Sequence, residues 1–271
     1  MMGSAAIIYG DKRQTFFCDL ADGYFDNVFT YNVPDWDNTF NSIKTTIENA
    51  DYIILPINFE TNGYIFGIER NEFVKMCINK TVICGNADCF YGKPELNVFD
   101  YCKDEAFQIN NAALTAEAAI STAVTSCDGS LYNSKCLISG SGRIAKILAG
   151  FLKPIAGDIT ITARNTTELL MMKIYGFNTV DLKNLSELND YDYIFNTVPF
   201  RIFDSRLLKT MKKDCVYIEL ASAPYGIDAY FAENNGINII KAGGLPGKFS
   251  PYTAATIIMD SIIKFTREVN V

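Results

Sequence analysis

Eight short apolar runs constrain the fold of this chain more than any other feature: AAIIY (5–9), YIIL (52–55), TVIC (81–84), KCLIS (135–139), DITIT (158–162), YIFN (193–196), CVYIEL (215–220) and INII (237–240). Each is short for a helix and nearly continuous in apolar residues, and longer amphipathic stretches separate them. A strand that is apolar on both sides must be covered on both faces, and a parallel sheet flanked by crossover helices achieves this. The predicted fold class is α/β: two Rossmann-like three-layer domains with mostly parallel sheets. No internal repeat and no low-complexity tract disturbs the pattern.

The 271 residues suffice for two such domains. Residues 1–110 carry 8 Lys+Arg against 16 Asp+Glu, whereas the remainder carries 16 against 15. The acidic burden therefore sits in the first half. Four segments are expected. Residues 1–110 form an N-terminal α/β domain of flavodoxin or Rossmann type, and 111–130 a bridging helix built on the Ala-rich stretch 112–124. Residues 131–250 form the second Rossmann domain. Residues 251–271 form a C-terminal helix packing back on the first domain, with Ser250 as N-cap and Pro251 at the first helical position. On that helix Ile258, Ile262 and Phe265 share one face.

Composition excludes several functions. There is no histidine, so Ser-His-Asp and Cys-His catalysis and His-based zinc sites are absent. Proton transfer falls to Lys, Asp, Glu, Tyr, Cys or water. A net charge of −7 argues against a nucleic-acid or anionic membrane surface. The eight cysteines make no C-x-x-C pair and are read as reduced, buried thiols, with no metal site expected. The first apolar run lacks a basic segment before it and is too short for a signal-peptide core, and no stretch is long and apolar enough for a membrane helix; a cytoplasmic protein is expected.

The strongest local signal is CLISGSGRIA, residues 136–145. It fits G-x-G-x-x-A after a strand and at a helix start, with a second strand following at 158–162. Gly140 would permit the tight turn, Gly142 the close approach of a pyrophosphate, and Ala145 close helix–strand packing. Ile144, Ile147, Leu148 and Phe151 make the helix's apolar stripe. Ser141, Arg143 and Ile144 belong to the same turn, where phosphates would meet free N–H groups at the positive end of the helix dipole. This makes 131–250 the candidate NAD(P)-binding domain.

The tip of the second strand reads TARNTT (162–167), without the acid that usually bonds an NAD ribose. Arg164 suits a 2′-phosphate and can stack on adenine. Asn165 caps the next helix with Glu168 three residues on, and Thr166 adds a donor. NADP is favoured, with NAD the alternative. At the carboxyl edge of later strands, Asn196, Thr197, Val198 and Pro199 are expected to flank the nicotinamide ribose, and Ser222 either donates to the ligand or caps. The segment GGLPGKFSP (243–251) reads as a Gly/Pro loop, in which Leu245 and Pro246 are assigned to the cofactor and Lys248 to an anion; a rigid inter-domain turn is the other reading.

Several of these segments together resemble one family, the A subunit of dipicolinate synthase from endospore-forming bacteria. The matching pieces are IIYGDKRQ (7–14), ADYIILP (50–56), NAALTAEAAI (111–120), ISGSGRIAKILA (138–149), ITARN (161–165), DYIFNTVP (192–199), IELASAP (218–224) and GGLPGKFSPYTAA (243–255). The resemblance implies an NADP-dependent oxidation of dihydrodipicolinate to dipicolinate in the mother cell during sporulation. It also implies joint action with the flavoprotein-like B subunit of dipicolinate synthase and a small dicarboxylate substrate, and a homo-oligomer is expected as well. One departure stands out. The family commonly has Arg-Pro-Gly-Gly after Ala-Ser, where this chain has Ala223-Pro224-Tyr225-Gly226.

On that reading two substrate carboxylates need cationic partners. Arg13, beside Asp11 in the GDKRQ turn, is the first choice, and Lys248 or Arg201 would take the second. Asn111 and Thr115 are candidate substrate contacts, and Glu117 is a candidate base, although an exposed helix glutamate is its commoner meaning. Two alternatives remain: a non-catalytic NADP-binding scaffold for the B subunit, and another NADP-dependent reductase of a small oxo-acid or imine, of the shikimate-dehydrogenase kind.

Overall fold

The computed structural model describes residues 2–33 and 42–269. Its backbone divides into two compact units, one of residues 1–111 and 246–271, the other of residues 112–245.

The first unit contains a five-stranded parallel sheet in the order β2-β1-β3-β7-β8, formed by β1 (Met2–Ile8), β2 (Phe25–Tyr31), β3 (Tyr52–Ile54), β7 (Thr81–Cys84) and β8 (Asn97–Asp100). A separate antiparallel sheet is made by β4 (Glu60–Thr61), β5 (Tyr64–Ile65) and β6 (Ile68–Glu69). Alternate residues of the central strands feed opposite cores. Ala6, Ile8, Ile53, Val82 and Cys84 join one, with α2 (Ile43–Glu48) and α3 (Arg70–Met76) contributing Ile43, Ile47, Phe73 and Val74. Ala5, Ile7, Ile54 and Ile83 join the other, with Phe17 and Cys18 of α1 (Lys12–Ala21). The C-terminal helix α10 (Pro251–Val269) completes that second layer through Ala255, Ile258, Met259 and Ile262, packing on α1. Further along the same helix, Phe265 stacks on Phe99 with ring centres 4.2 Å apart.

The long helix α4 (Glu105–Thr125) carries the chain into the second unit. There six parallel strands stand in the order β11-β10-β9-β12-β13-β14: β9 (Lys135–Ser139), β10 (Asp158–Ala163), β11 (Asn178–Asp181), β12 (Tyr193–Asn196), β13 (Val216–Glu219) and β14 (Ile239–Lys241). Numbered within the unit this is 3-2-1-4-5-6, the doubly wound nucleotide-binding order, whose direction reverses between β9 and β12. Its crossovers are α5 (Arg143–Leu152), α6 (Thr166–Ile174), α7 (Ser205–Leu208) and α8 (Ala229–Asn234). The buried face of α5 differs from the expected stripe. Ala145, Leu148, Ala149 and Leu152 are buried, while Phe151 is 44% exposed. Two alanines bring this helix closer to the sheet than a fully branched stripe allows. The segment 243–251 also differs from expectation: Leu245–Phe249 is a short helix, α9, rather than a loop.

Candidate functional site

Ligands of open α/β sheets bind outside the carboxyl ends of the strands where their order reverses. In the second unit that point lies between β9 and β12, and the glycine turn follows β9. Gly140 has φ +112°, its amide donates to the Thr162 carbonyl at 2.8 Å, and a Cβ there would collide with Thr197 Oγ1. Only glycine meets both demands. Gly142 is the N-cap of α5, with no side-chain cap, and a Cβ built on it would meet no atom within 4 Å. The space beside Gly142 is thus open at the positive end of the α5 dipole.

Beside the turn lies a cavity of about 270 Å³ lined by Gly140, Ser141, Thr162, Arg164, Val198 and Phe200, among others. Thr162 is fully buried, yet its Oγ1 has no hydrogen-bond partner among the described residues. An orphaned hydroxyl on a cavity wall is the kind of group that a bound polar ligand satisfies. Arg164 is exposed, with its guanidinium carbon 5.6 Å from the Phe200 ring centre. Asn165 caps α6, accepting from the amides of Thr167 and Glu168 at 3.1 and 3.2 Å. Glu168 pairs with Lys146 of α5 at 2.5 Å, which leaves Arg164 as the cation at the strand tip. An open glycine turn, an unpaired buried hydroxyl and an arginine at the strand tip together fit a phosphorylated dinucleotide.

Asn196 requires a correction. Expected beside a ribose, it is fully buried. Its Oδ1 accepts from Ser139 Oγ and from the Val198 amide at 3.2 Å, and its Nδ2 donates to Glu219 at 2.6 Å and to the Val198 carbonyl at 2.9 Å. All its hydrogen-bonding capacity is spent within the protein, so it ties strand ends together instead of meeting a ligand. Thr197 donates through Oγ1 to the Ser139 carbonyl at 2.8 Å, pinning this loop to the glycine turn. Val198 lines the cavity and Pro199 is exposed.

In the first unit, strand order reverses between β1 and β3, and Asp11 and Arg13 follow β1 there. Asp11 is the N-cap of α1 in a capping box with Gln14. Arg13 is 8% exposed, and its Nε donates to both Asp11 oxygens at 2.9 and 3.1 Å while Nη2 pairs with Oδ2. Burial works to raise the Asp11 carboxyl, but the hydrogen bonds and charge of Arg13 outweigh it and hold the pKa below the ordinary value. A Cβ on Gly247 of α9 would lie 3.1 Å from Arg13 Nε, so the G-L-P-G segment is shaped to cover this ion pair. One edge of the Arg13 fork is taken, and its Nη1 makes no hydrogen bond among the described residues.

The remaining candidates lie on several separate elements. Lys248 is exposed on α9. Arg201 pairs with Asp228, the N-cap of α8, so it is not a free carboxylate partner. Thr115 is buried on α4, Asn111 is half-buried, and Glu117 is exposed, which is the commoner state of a helix glutamate. Arg143 and Thr166 are exposed on the first turns of α5 and α6; Ile144 is half-buried against the core. Ser222 is exposed and accepts through its carbonyl from the Tyr225 amide at 3.1 Å. Leu245 is 3% exposed within the core and Pro246 is buried, so neither side chain presents a free face. Sequence reasoning missed Thr162, Phe200 and Glu219. It also missed the Asp11–Gln14 capping box, which the D-x-x-Q spacing signals.

No protein-family model matches the chain. It is 25% identical over 286 residues to the A subunit of dipicolinate synthase from Bacillus subtilis, covering 97% of this chain and 96% of that one. The NADP(+)-dependent shikimate dehydrogenase of Clostridium botulinum is 37% identical over 98 residues, 34% of this chain and 38% of that protein. Among solved structures, the A subunit of dipicolinate synthase from Bacillus halodurans superposes with a TM-score of 0.85 at 22% identity, covering 97% of each chain. The transhydrogenase of Sinorhizobium meliloti superposes with a TM-score of 0.70 at 14% identity, covering 98% of this chain and 94% of that one. The resemblance carried by the eight motifs thus extends over 97% of the chain, and the fold is shared with the A subunit of dipicolinate synthase and with the transhydrogenase. No helix among the described residues is long and apolar enough to cross a membrane.

Proposed function

Starting from that full-length likeness, we propose that this chain is the nucleotide-binding component of an NADP-dependent oxidoreductase that aromatises dihydrodipicolinate to dipicolinate, acting with a second, B-type subunit. The observation that carries the reading is the open turn at Gly142 beside the cavity of Thr162 and Arg164. The diphosphate would lie on the first-turn amides of α5, and Arg164 would pair with the 2′-phosphate, using Phe200 to stay extended. When bound, the nicotinamide supplies a hydride acceptor. The oxidation removes one hydride and one proton from the ring, and the proton passes to water. Aromatisation drives that loss, so a chain without histidine suffices. Arg13, buried and locked by Asp11, offers Nη1 to a substrate carboxylate; orientation and charge matching are the protein's share of the work.

Calorimetry of the full chain should show NADP binding more tightly than NAD. Assay with the B-type partner should show growth of the reduced-nicotinamide absorbance band with dihydrodipicolinate. No nucleotide binding would defeat both the catalytic and the NADP-binding scaffold readings, whereas turnover unchanged in Arg13→Lys with the complex intact would favour the scaffold. The local identity to shikimate dehydrogenase supports a second reading, reduction of a small oxo-acid with NADPH. A panel of oxo-acids in the same assay separates the two.

A further inference from the structure

Glu219 is a buried charge for which the proposed reaction has no use. It ends β13, between the ends of β12 and β14, and is 1% exposed. Every partner points a hydrogen at it. Its Oε1 accepts from Asn196 Nδ2 at 2.6 Å and from the Ala221 amide at 3.1 Å; its Oε2 accepts from the Tyr217 hydroxyl at 3.1 Å and the Gly226 amide at 2.9 Å. Amide donors offer no lone pair to a carboxyl proton, so these bonds favour the ionised form, but burial outweighs them and leaves the carboxyl above its ordinary pKa. No Lys or Arg is among these partners. Lys241, its register partner on β14, is exposed and sits 5.5 Å from the Tyr225 ring centre, where water screens it. Gly226 must be glycine here, because a Cβ would collide with the Asn196 amide. Four donors thus fix this carboxyl at the carboxyl edge of the sheet, where ligands of this architecture bind.

We propose that the uncompensated carboxylate of Glu219 biases the nucleotide site toward the oxidised, positively charged nicotinamide. It would keep the site loaded with the hydride acceptor and speed release of the reduced product. The inference rests on the second unit being a nicotinamide-nucleotide site. At an effective dielectric near 20, two unit charges about 10 Å apart interact strongly enough to change an affinity on the order of tenfold.

The test is calorimetric titration of the full chain with NADP+ and with NADPH. Wild type should bind NADP+ roughly tenfold more tightly, Glu219→Asp should keep the preference, and Glu219→Gln should bring the two affinities to within about twofold. Wild type binding NADPH as tightly as NADP+ overturns the proposal, whether or not the Gln variant folds. A Gln variant that weakens both nucleotides equally also overturns it, leaving Glu219 an anchor for its loops. If wild type binds neither nucleotide, the site itself is lost and this inference with it.

Discussion

At the scale of single residues, Gly140 and Gly142 face opposite demands and should respond differently. Gly140 is bound by its own backbone and by Thr197 Oγ1. Gly140→Ala should therefore lower stability by about 1–3 kcal/mol, visible as a reduced midpoint in urea. Gly142 has no such neighbour. Gly142→Ala should stay within about 1 kcal/mol of wild type while weakening nucleotide binding by the added Cβ above the α5 amides. Unchanged nucleotide affinity in Gly142→Ala would mean that the open space over Gly142 has no ligand to serve. Arg164 makes a third point. Its guanidinium lies near an aromatic ring rather than a carboxylate, so its charge is uncommitted to any acid at the strand tip. Arg164→Gln should weaken NADP by about ten- to a hundredfold, the worth of hydrogen bonds to a charged group, and leave NAD binding unchanged. Calorimetry with both nucleotides checks this, and parallel losses would remove Arg164 from the 2′-phosphate.

At the scale of elements, the start of α1 shows one side chain serving two purposes. Asp11 caps the helix and neutralises Arg13. Asparagine also caps well, so Asp11→Asn should cost about 1 kcal/mol and Asp11→Ala about 2 kcal/mol, the pair being discounted because the Asp11 side chain is 41% exposed. The folded pKa of Asp11 lies below its unfolded value. Its stabilisation is present above about pH 4 and is lost as pH falls through the folded value. Urea midpoints of wild type and Asp11→Asn should therefore converge as pH falls below about 4, and a constant gap would show that the pair adds nothing. Elements also mark how far the sequence could be read. All eight apolar runs became strands, and the α/β class followed from them. Besides the short antiparallel strands β4, β5 and β6, the strands it missed are β2, β8 and β11, edges of the two parallel sheets: β2 exposes Asp26 and Asn27, β8 exposes Asn97, β11 exposes Asn178. An edge strand has one neighbour and partial cover, so burial does not force a continuous apolar run on it. The segment at 243–251 hid its helix for a related reason. Its glycines suggested a loop, but Gly247 is there for close approach to Arg13 and Asp11. The glycine turn was legible because its chemistry is local; the Asn196–Glu219 network was not, because it joins residues 23 apart on different strands.

At the scale of the whole molecule, the cysteines report on both units at once. All eight are free thiols; Cys18, Cys77 and Cys84 are buried in the first unit, Cys136 and Cys215 in the second. Burial pushes Cys18, Cys77 and Cys215 up to about 12 and Cys136 to about 11, and raises Cys84 as well. An ordinary thiol titrates near about pH 8.5. At about pH 8 the native thiolate fraction is thus lower by roughly a thousandfold, and reagent access requires opening of the surrounding core. Alkylation of these five followed by mass spectrometry should be roughly a hundredfold or more slower in the native chain than in urea. The second set carries the functional content. Cys136 lies on β9, directly before the glycine turn, and Cys215 precedes β13. A ligand that binds only the folded second unit lowers its open population by the factor 1 + [L]/Kd, about a hundredfold at about a hundred times Kd. NADP at that concentration should slow labelling of Cys136 and Cys215 by up to this factor. Rates at those two positions that ignore saturating NADP would contradict a nucleotide site built on β9 and α5, whatever the likeness of the chain to known dehydrogenases.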